Sequence, residues 1–422
     1  MAIKEINQVH TDDEQKLRML EEEWKREVKA HIDINKLNHP NIIEFIAAVT
    51  RGKRYLMFRW ADGGNLREFW QTHKKPQLSV SLVRDVVMQL RGLADALDKL
   101  HGYGGGGGSY RHGDVKPDNI LRIRSKPVSH ADIDVGILKI ADMGLAKHHT
   151  VVTEFRPPTS MRYTTYRYEP PEVIDGISAN PGRSRRQDIW SLGCVALELI
   201  IWLLYGAEVL NEFNDKWIVG DMGEPSPYFE IEGKGSHRTA KVHPAVDATM
   251  DALSRDQECR VGQESAVKDL LRIVRKKLLV VNLGAATMMG IGGPSTPPNN
   301  STIPVGSRAS ARDLCLDLDD IIGKGEKNES YWYTGKPRSH IQRLQIGRSR
   351  GSDSLLPPDP KAGNGKGLPT RSKEPTAMPL QSGDIAFSVP PVPSVTQALK
   401  VGRFQSYLIL KANWTPFVLG CM

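Results

Sequence analysis

The sequence predicts an α+β fold in which short strands come first, long helices follow, and a polar stretch closes the chain. Three observations carry this reading. Residues 42–60 hold two β-prone runs around the turn Arg51-Gly52-Lys53-Arg54, the pattern of a hairpin that leads into Tyr55-Leu56-Met57-Phe58-Arg59-Trp60. Residues 82–101 place Val83, Val86, Val87, Leu90, Leu93, Ala94, Leu97 and Leu100 on one stripe, which is the spacing of an amphipathic helix. From about residue 323 the chain turns to Gly, Pro, Ser and Lys, and periodic apolar positions vanish.

The elements between these landmarks follow the same rules. Leu17, Leu20, Trp24 and Val28 recur every three or four residues and predict a helix over 12–37. Asp62-Gly63-Gly64-Asn65 is a turn. The apolar run from Leu192 to Ala207 contains Glu198 and is too short to span a bilayer, so it reads as a buried helix. Gly-rich residues near 102–110 read as a flexible insertion, 122–136 as a hairpin extension, and 284–306 as a polar interruption rich in Gly, Pro, Ser and Asn.

At 422 residues the chain is expected to form at least two units. Its formal net charge of +8 is concentrated in part in the polar tail, at Arg343, Arg348, Arg350, Lys361, Lys366, Arg371 and Lys373. That distribution suits a solvated tail better than specific nucleic-acid binding. The four cysteines lack paired metal spacing, which favours reduced thiols and an intracellular setting, cytoplasmic or nuclear. No secretory signal or membrane span is expected.

The chemistry concentrates in His112-Gly113-Asp114-Val115-Lys116-Pro117-Asp118-Asn119. An Asp can orient a hydroxyl and accept its proton, a Lys two residues on can offset charge developing on a phosphoryl group, and an Asn five residues past the Asp can hold a magnesium ion. Downstream, Lys139-Ile140-Ala141-Asp142-Met143-Gly144 ends a short apolar strand in a second Asp. Tyr166-Arg167-Tyr168-Glu169-Pro170-Pro171-Glu172 and Asp188-Ile189-Trp190-Ser191-Leu192-Gly193 complete the series.

In this order the motifs resemble those of eukaryotic protein kinases with a Ser/Thr-type catalytic loop. The resemblance covers residues 1 to about 322 and implies a two-lobed fold: residues 1–61 as a partial N-lobe and hinge, 62–322 as a mainly helical C-lobe, and 323–422 as a disordered tail. Only three residues precede Lys4. The Gly-rich loop that the family places ahead of this Lys is therefore missing here, which implies an N-terminally truncated member.

The resemblance also implies roles. Asp114 and Lys116 would be catalytic, while Asn119 and Asp142 would hold Mg²⁺. Lys4 would meet the ATP phosphates and pair with Glu27, with Glu23 as the alternative one turn away. Phe58 would stand beside the adenine pocket, and Arg59, Trp60 and Ala61 would form the hinge. His112, Gly144, Thr165, Glu172, Asp188 and Arg308 would build the catalytic loop and activation segment, Arg308 being the partner a buried Glu172 needs. Gly113 stands where many kinases carry an Arg that binds an activating phosphate, so that cationic socket is expected to be lost. The implied activity is transfer of the γ-phosphate of ATP to Ser and Thr hydroxyls of protein substrates. The alternative is a catalytically weak pseudokinase serving as a scaffold.

Overall fold

The two β-prone runs flanking Gly52 do fold back on one another. The computed structural model describes residues 1–6, 13–103, 110–125, 133–142, 166–173, 185–219, 225–233, 238–260, 262–281 and 307–335. Strand β1 (Ala2–Ile6), helix α1 (Glu14–Asn35), and strands β2 (Phe45–Arg51) and β3 (Lys53–Phe58) make the first lobe. The sheet is antiparallel in the order β1-β3-β2, and its register sets Lys4 opposite Leu56 and Ala2 opposite Phe58. Helix α1 begins at Asp13, whose carboxylate accepts from the Gln15 and Lys16 amides and so satisfies two otherwise unpaired donors.

Trp24 of α1 packs with Ile43, Phe45, Leu56, Phe58 and Ala61 into a small core. His31, one turn beyond Glu27, is 4 % exposed and stacks on Phe45 at 5.2 Å between ring centroids. Its edge-to-face contact with Phe58 is also 5.2 Å. Burial, reinforced by the Lys4 charge, pushes the His31 imidazole down from 6.5 to about 4. The folded chain therefore refuses a proton that the unfolded chain accepts. Stability is complete above about pH 6.5 and falls as pH drops towards 4, by about 3 kcal/mol from this group. The expected result is that His31→Leu gains that much relative to the native chain between pH 7 and pH 4 in urea titrations. A difference constant with pH would contradict the assignment.

The second lobe is helical. Helix α2 (Leu66–Thr72) starts with a reciprocal cap between Asn65 and Glu68, and α3 (Val80–Gly102) starts at Ser79, whose hydroxyl accepts from the Leu82 amide. The stripe read from the sequence is the buried face of α3, with Val83, Val86, Leu90, Leu93 and Leu97 at 0–2 % exposure. A short antiparallel pair, β4 (Ile120–Ile123) and β5 (Ile137–Ile140), follows. The centre of this lobe is α4 (Arg186–Glu212), apolar on all sides. It is long and apolar enough to cross a membrane, but 94 % of its apolar window is buried within the fold. The hairpin β6 (Phe229–Glu232) and β7 (Thr239–Val242) and helices α5 (Pro244–Ser254), α6 (Ala266–Ile273) and α7 (Ala311–Lys327) complete the described chain.

Helix α7 packs along α3, where Arg91 meets Asp319 through two hydrogen bonds of 2.8 and 3.2 Å. Packed structure continues past residue 322, the limit read from the sequence. Tyr331 and Trp332 are 4 % and 3 % exposed, and Tyr331 donates to Asp269 at 2.7 Å. The reason lies in Gly325: a Cβ there would collide with the Trp332 indole, so a glycine that reads as polar linker is what lets the ring close on the helix. The insertions at 104–108 and 284–306, residues 126–132 of the 122–136 connection, Gly144, Thr165 and most of the tail lie outside the described residues.

Candidate active site

Strand β5 delivers Asp142 to the junction of the two lobes. The Ile140 amide donates to the Asn41 carbonyl at 2.8 Å, and the Ile43 amide donates back to the Ile140 carbonyl at 3.0 Å. The next residue is held from the other side: the Ala141 amide donates to the Asn119 carbonyl at 2.9 Å, and its carbonyl accepts from His112 Nε2 at 2.9 Å. His112 Nδ1 in turn accepts the Asp114 amide at 3.1 Å, so its ring is the tautomer protonated on Nε2. One imidazole thereby ties the backbone of Asp114 to that of Ala141, the residue directly before Asp142. Asp142 itself is left-handed, with φ at 64°, a conformation that Asp tolerates better than most residues.

The catalytic loop is braced from α4. Asp188, 1 % exposed, accepts the His112 amide at 2.9 Å, the Gly113 amide at 2.7 Å and His101 Nε2 at 2.8 Å. Burial would raise its carboxyl, but these donors and the neighbouring imidazoles hold it below the usual carboxylate range. Gly113 sits at φ 76°, which side-chain-bearing residues rarely adopt. Its presence has a backbone reason: glycine relaxes the turn that lets two successive amides reach Asp188.

Within the loop three side chains converge. Lys116 Nζ donates to Asp114 Oδ2 at 2.8 Å, and Asn119 Nδ2 donates to the same oxygen and to the Asp114 carbonyl, both at 2.9 Å. Asn119 thus spends its amide nitrogen on Asp114, and its amide oxygen is the atom left with the chemistry to ligate a cation.

Lys4 differs from expectation. Its ammonium pairs with Asp142 Oδ1 at 2.5 Å rather than with Glu27. Glu27 Oε1 is buried and, among the described residues, has no hydrogen-bond partner. The physical reason is electrostatic: Asp142 and Glu27 compete for one cation, and the carboxylate in direct contact wins. Burial pulls the Lys4 ammonium down, but Asp142 outweighs it, with smaller help from Glu27 and Asp114, and holds it above its ordinary value. Asp142 is correspondingly held low against its own burial, mainly by the Lys4 charge. Glu27 is raised by burial, more than the Lys4 charge can offset. Glu23, the alternative partner, acts on this cluster only as a neighbouring negative charge that raises Glu27 further.

Phe58 is 1 % exposed at the end of β3. Of the three residues expected to form the hinge, Ala61 is buried and Trp60 half-buried. Arg59 points to solvent, and its amide donates to the Glu44 carbonyl at 2.9 Å. That donor is therefore already spent within the small lobe. Glu172 is held by Arg308 through hydrogen bonds of 2.6 and 3.1 Å. Four side chains not singled out for a role in the sequence also meet here: Arg67, Asp118, Tyr168 and Glu198.

The chain matches the protein kinase domain family over residues 1–268. It is 30 % identical over 248 residues to a probable serine/threonine-protein kinase, fhkD, of Dictyostelium discoideum, covering 55 % of this chain and 31 % of that protein. It is 25 % identical over 349 residues to mitogen-activated protein kinase kinase kinase ANP1 of Arabidopsis thaliana, covering 78 % of this chain and 44 % of that protein. It is 30 % identical over 201 residues to homeodomain-interacting protein kinase 4 of Mus musculus, covering 47 % of this chain and 28 % of that protein. The chain thus spans less than half the length of these relatives. With the α+β architecture and the ordered site described above, this match means that the chain belongs to the protein kinase family.

Proposed function

We propose that this chain transfers the γ-phosphate of Mg-ATP to Ser and Thr hydroxyls of protein substrates. The observation that carries this reading is the convergence of Lys116 and Asn119 on the Asp114 carboxylate. Asp114 can accept a hydroxyl proton, while the Lys116 ammonium beside it can offset charge on the transferred group. Lys116 two residues after the Asp is the Ser/Thr-type pattern.

The donor set suits magnesium. Asp142 and the Asn119 amide oxygen are hard oxygen ligands, and Mg²⁺ is ordinarily held by one or two such side chains plus phosphate oxygens and water. Bound Mg-ATP supplies the transferable phosphoryl group and the cation that offsets its charge. Lys4 would exchange Asp142 for the phosphates and for Glu27, whose buried oxygen then gains the partner it lacks. Asp142 and Asn119 would hold the metal, and positioning with electrostatics would supply the rate.

Incubation with γ-labelled ATP and generic protein substrates, followed by acid hydrolysis, tests the specificity. The expected label is on phosphoserine and phosphothreonine. Label confined to phosphotyrosine would contradict the Ser/Thr reading, and no label above a metal-free control would favour the scaffold.

A further inference from the structure

We propose that Arg67 is a positioning residue that locks the C-terminal end of the catalytic loop to the segment around Tyr168, with Asp118 as its partner in the loop. This rests on the kinase reading above. Asp114 lies between two fixed points. Asp188 grips the loop at His112 and Gly113. Past Asp114, Arg67 of α2 forms a two-pronged pair with Asp118, both N–O distances being 2.9 Å. This is the planar fork-to-carboxylate geometry that only Arg supplies.

The same guanidinium reaches a second element. Its Nη2 donates to the Tyr168 hydroxyl at 3.1 Å, and that hydroxyl donates onward to Glu198 at 2.9 Å. Tyr228 gives Glu198 a second phenolic donor at 3.1 Å. The chain of contacts therefore runs Asp118, Arg67, Tyr168, Glu198, crossing from the catalytic loop to the segment 166–173 and on to α4.

Glu198 shows that this is more than surface pairing. It is 0 % exposed in the middle of an apolar helix, where an uncharged side chain of similar size would serve packing at lower cost. Burial pushes its carboxyl up, against the pull of the Arg67 charge. The carboxylate accepts from both Tyr168 and Tyr228, so it anchors the segment 166–173 to α4. The task that the geometry offers is orientation: Asp118 directly precedes Asn119, which itself grips Asp114. A shift of about 1 Å in such a group can cost on the order of 10²-fold in rate.

The test is steady-state kinetics of the full chain with Mg-ATP and a Ser/Thr peptide, comparing Arg67→Ala, Arg67→Lys, Asp118→Asn and the Arg67→Ala/Asp118→Asn pair. Arg67→Ala is expected to lower kcat by about 10- to 100-fold, with the KM for ATP within about two-fold. Arg67→Lys should recover little, because an ammonium lacks the planar fork that holds both Asp118 oxygens while reaching Tyr168, whereas millimolar guanidinium should restore part of the Arg67→Ala rate. Losses in the pair should fall well short of the product of the single losses. The proposal is overturned if kcat is unchanged, if the two single losses multiply, or if the rate falls only in step with the folded fraction. A native chain without any transfer would instead remove the kinase reading and this role with it, an outcome told apart by the native control alone.

Discussion

Replacing Arg308 with Met is expected to cost about 3–5 kcal/mol of folding stability, the usual result of leaving one half of a buried ion pair behind. Arg308 is 0 % exposed and Glu172 6 %. The guanidinium holds both Glu172 oxygens, donates from Nε to the Val280 carbonyl at 2.8 Å and from Nη1 to the Arg186 carbonyl at 3.1 Å, and lies 4.9 Å from the Trp190 ring centre. It therefore joins three parts of the chain that are far apart in sequence. The Met variant strands the Glu172 carboxylate in a region that water cannot reach. Urea unfolding should show the loss, and adding Glu172→Gln should recover a substantial part of it by removing the stranded charge. A loss below about 1 kcal/mol in the single variant would mean that the pair is solvated in solution.

Much of this arrangement was legible because phosphoryl-transfer chemistry demands particular residue types at short spacing. Asp114, Lys116 and Asn119 lie within one loop, so their convergence follows from local geometry. The α3 stripe and the hairpin at Gly52 were legible for a similar reason: periodicity of burial is written directly into the order of side chains. The Arg308–Glu172 pair spans 136 positions and came from the family resemblance alone.

What the sequence concealed depends on long-range competition. Lys4 has two carboxylates within its field, and no local rule says that Asp142 holds it while Glu27 Oε1 stays buried and unpaired. The Arg67 network is assembled from four separate elements, and its one sequence signal, a lone Glu198 in an apolar helix, served only to argue against a membrane span. The end of the packed chain was misplaced because Gly325 and Gly335 read as linker composition, whereas Gly325 makes room for Trp332. A composition rule cannot see the ring that fills the space.

The central claim is that Asp114 orients the attacking hydroxyl. It is tested most directly by phosphate incorporation from Mg-ATP into a Ser/Thr substrate, comparing the native chain with Asp114→Asn at equal folded concentration. Asn keeps the shape and can still accept from Lys116 and Asn119, so folding and ATP affinity should be retained while the proton acceptor is lost. The expected result is a fall in kcat of about 10²- to 10⁴-fold with an unchanged KM for ATP. Measurable transfer at equal rates in both proteins would contradict the assignment of Asp114.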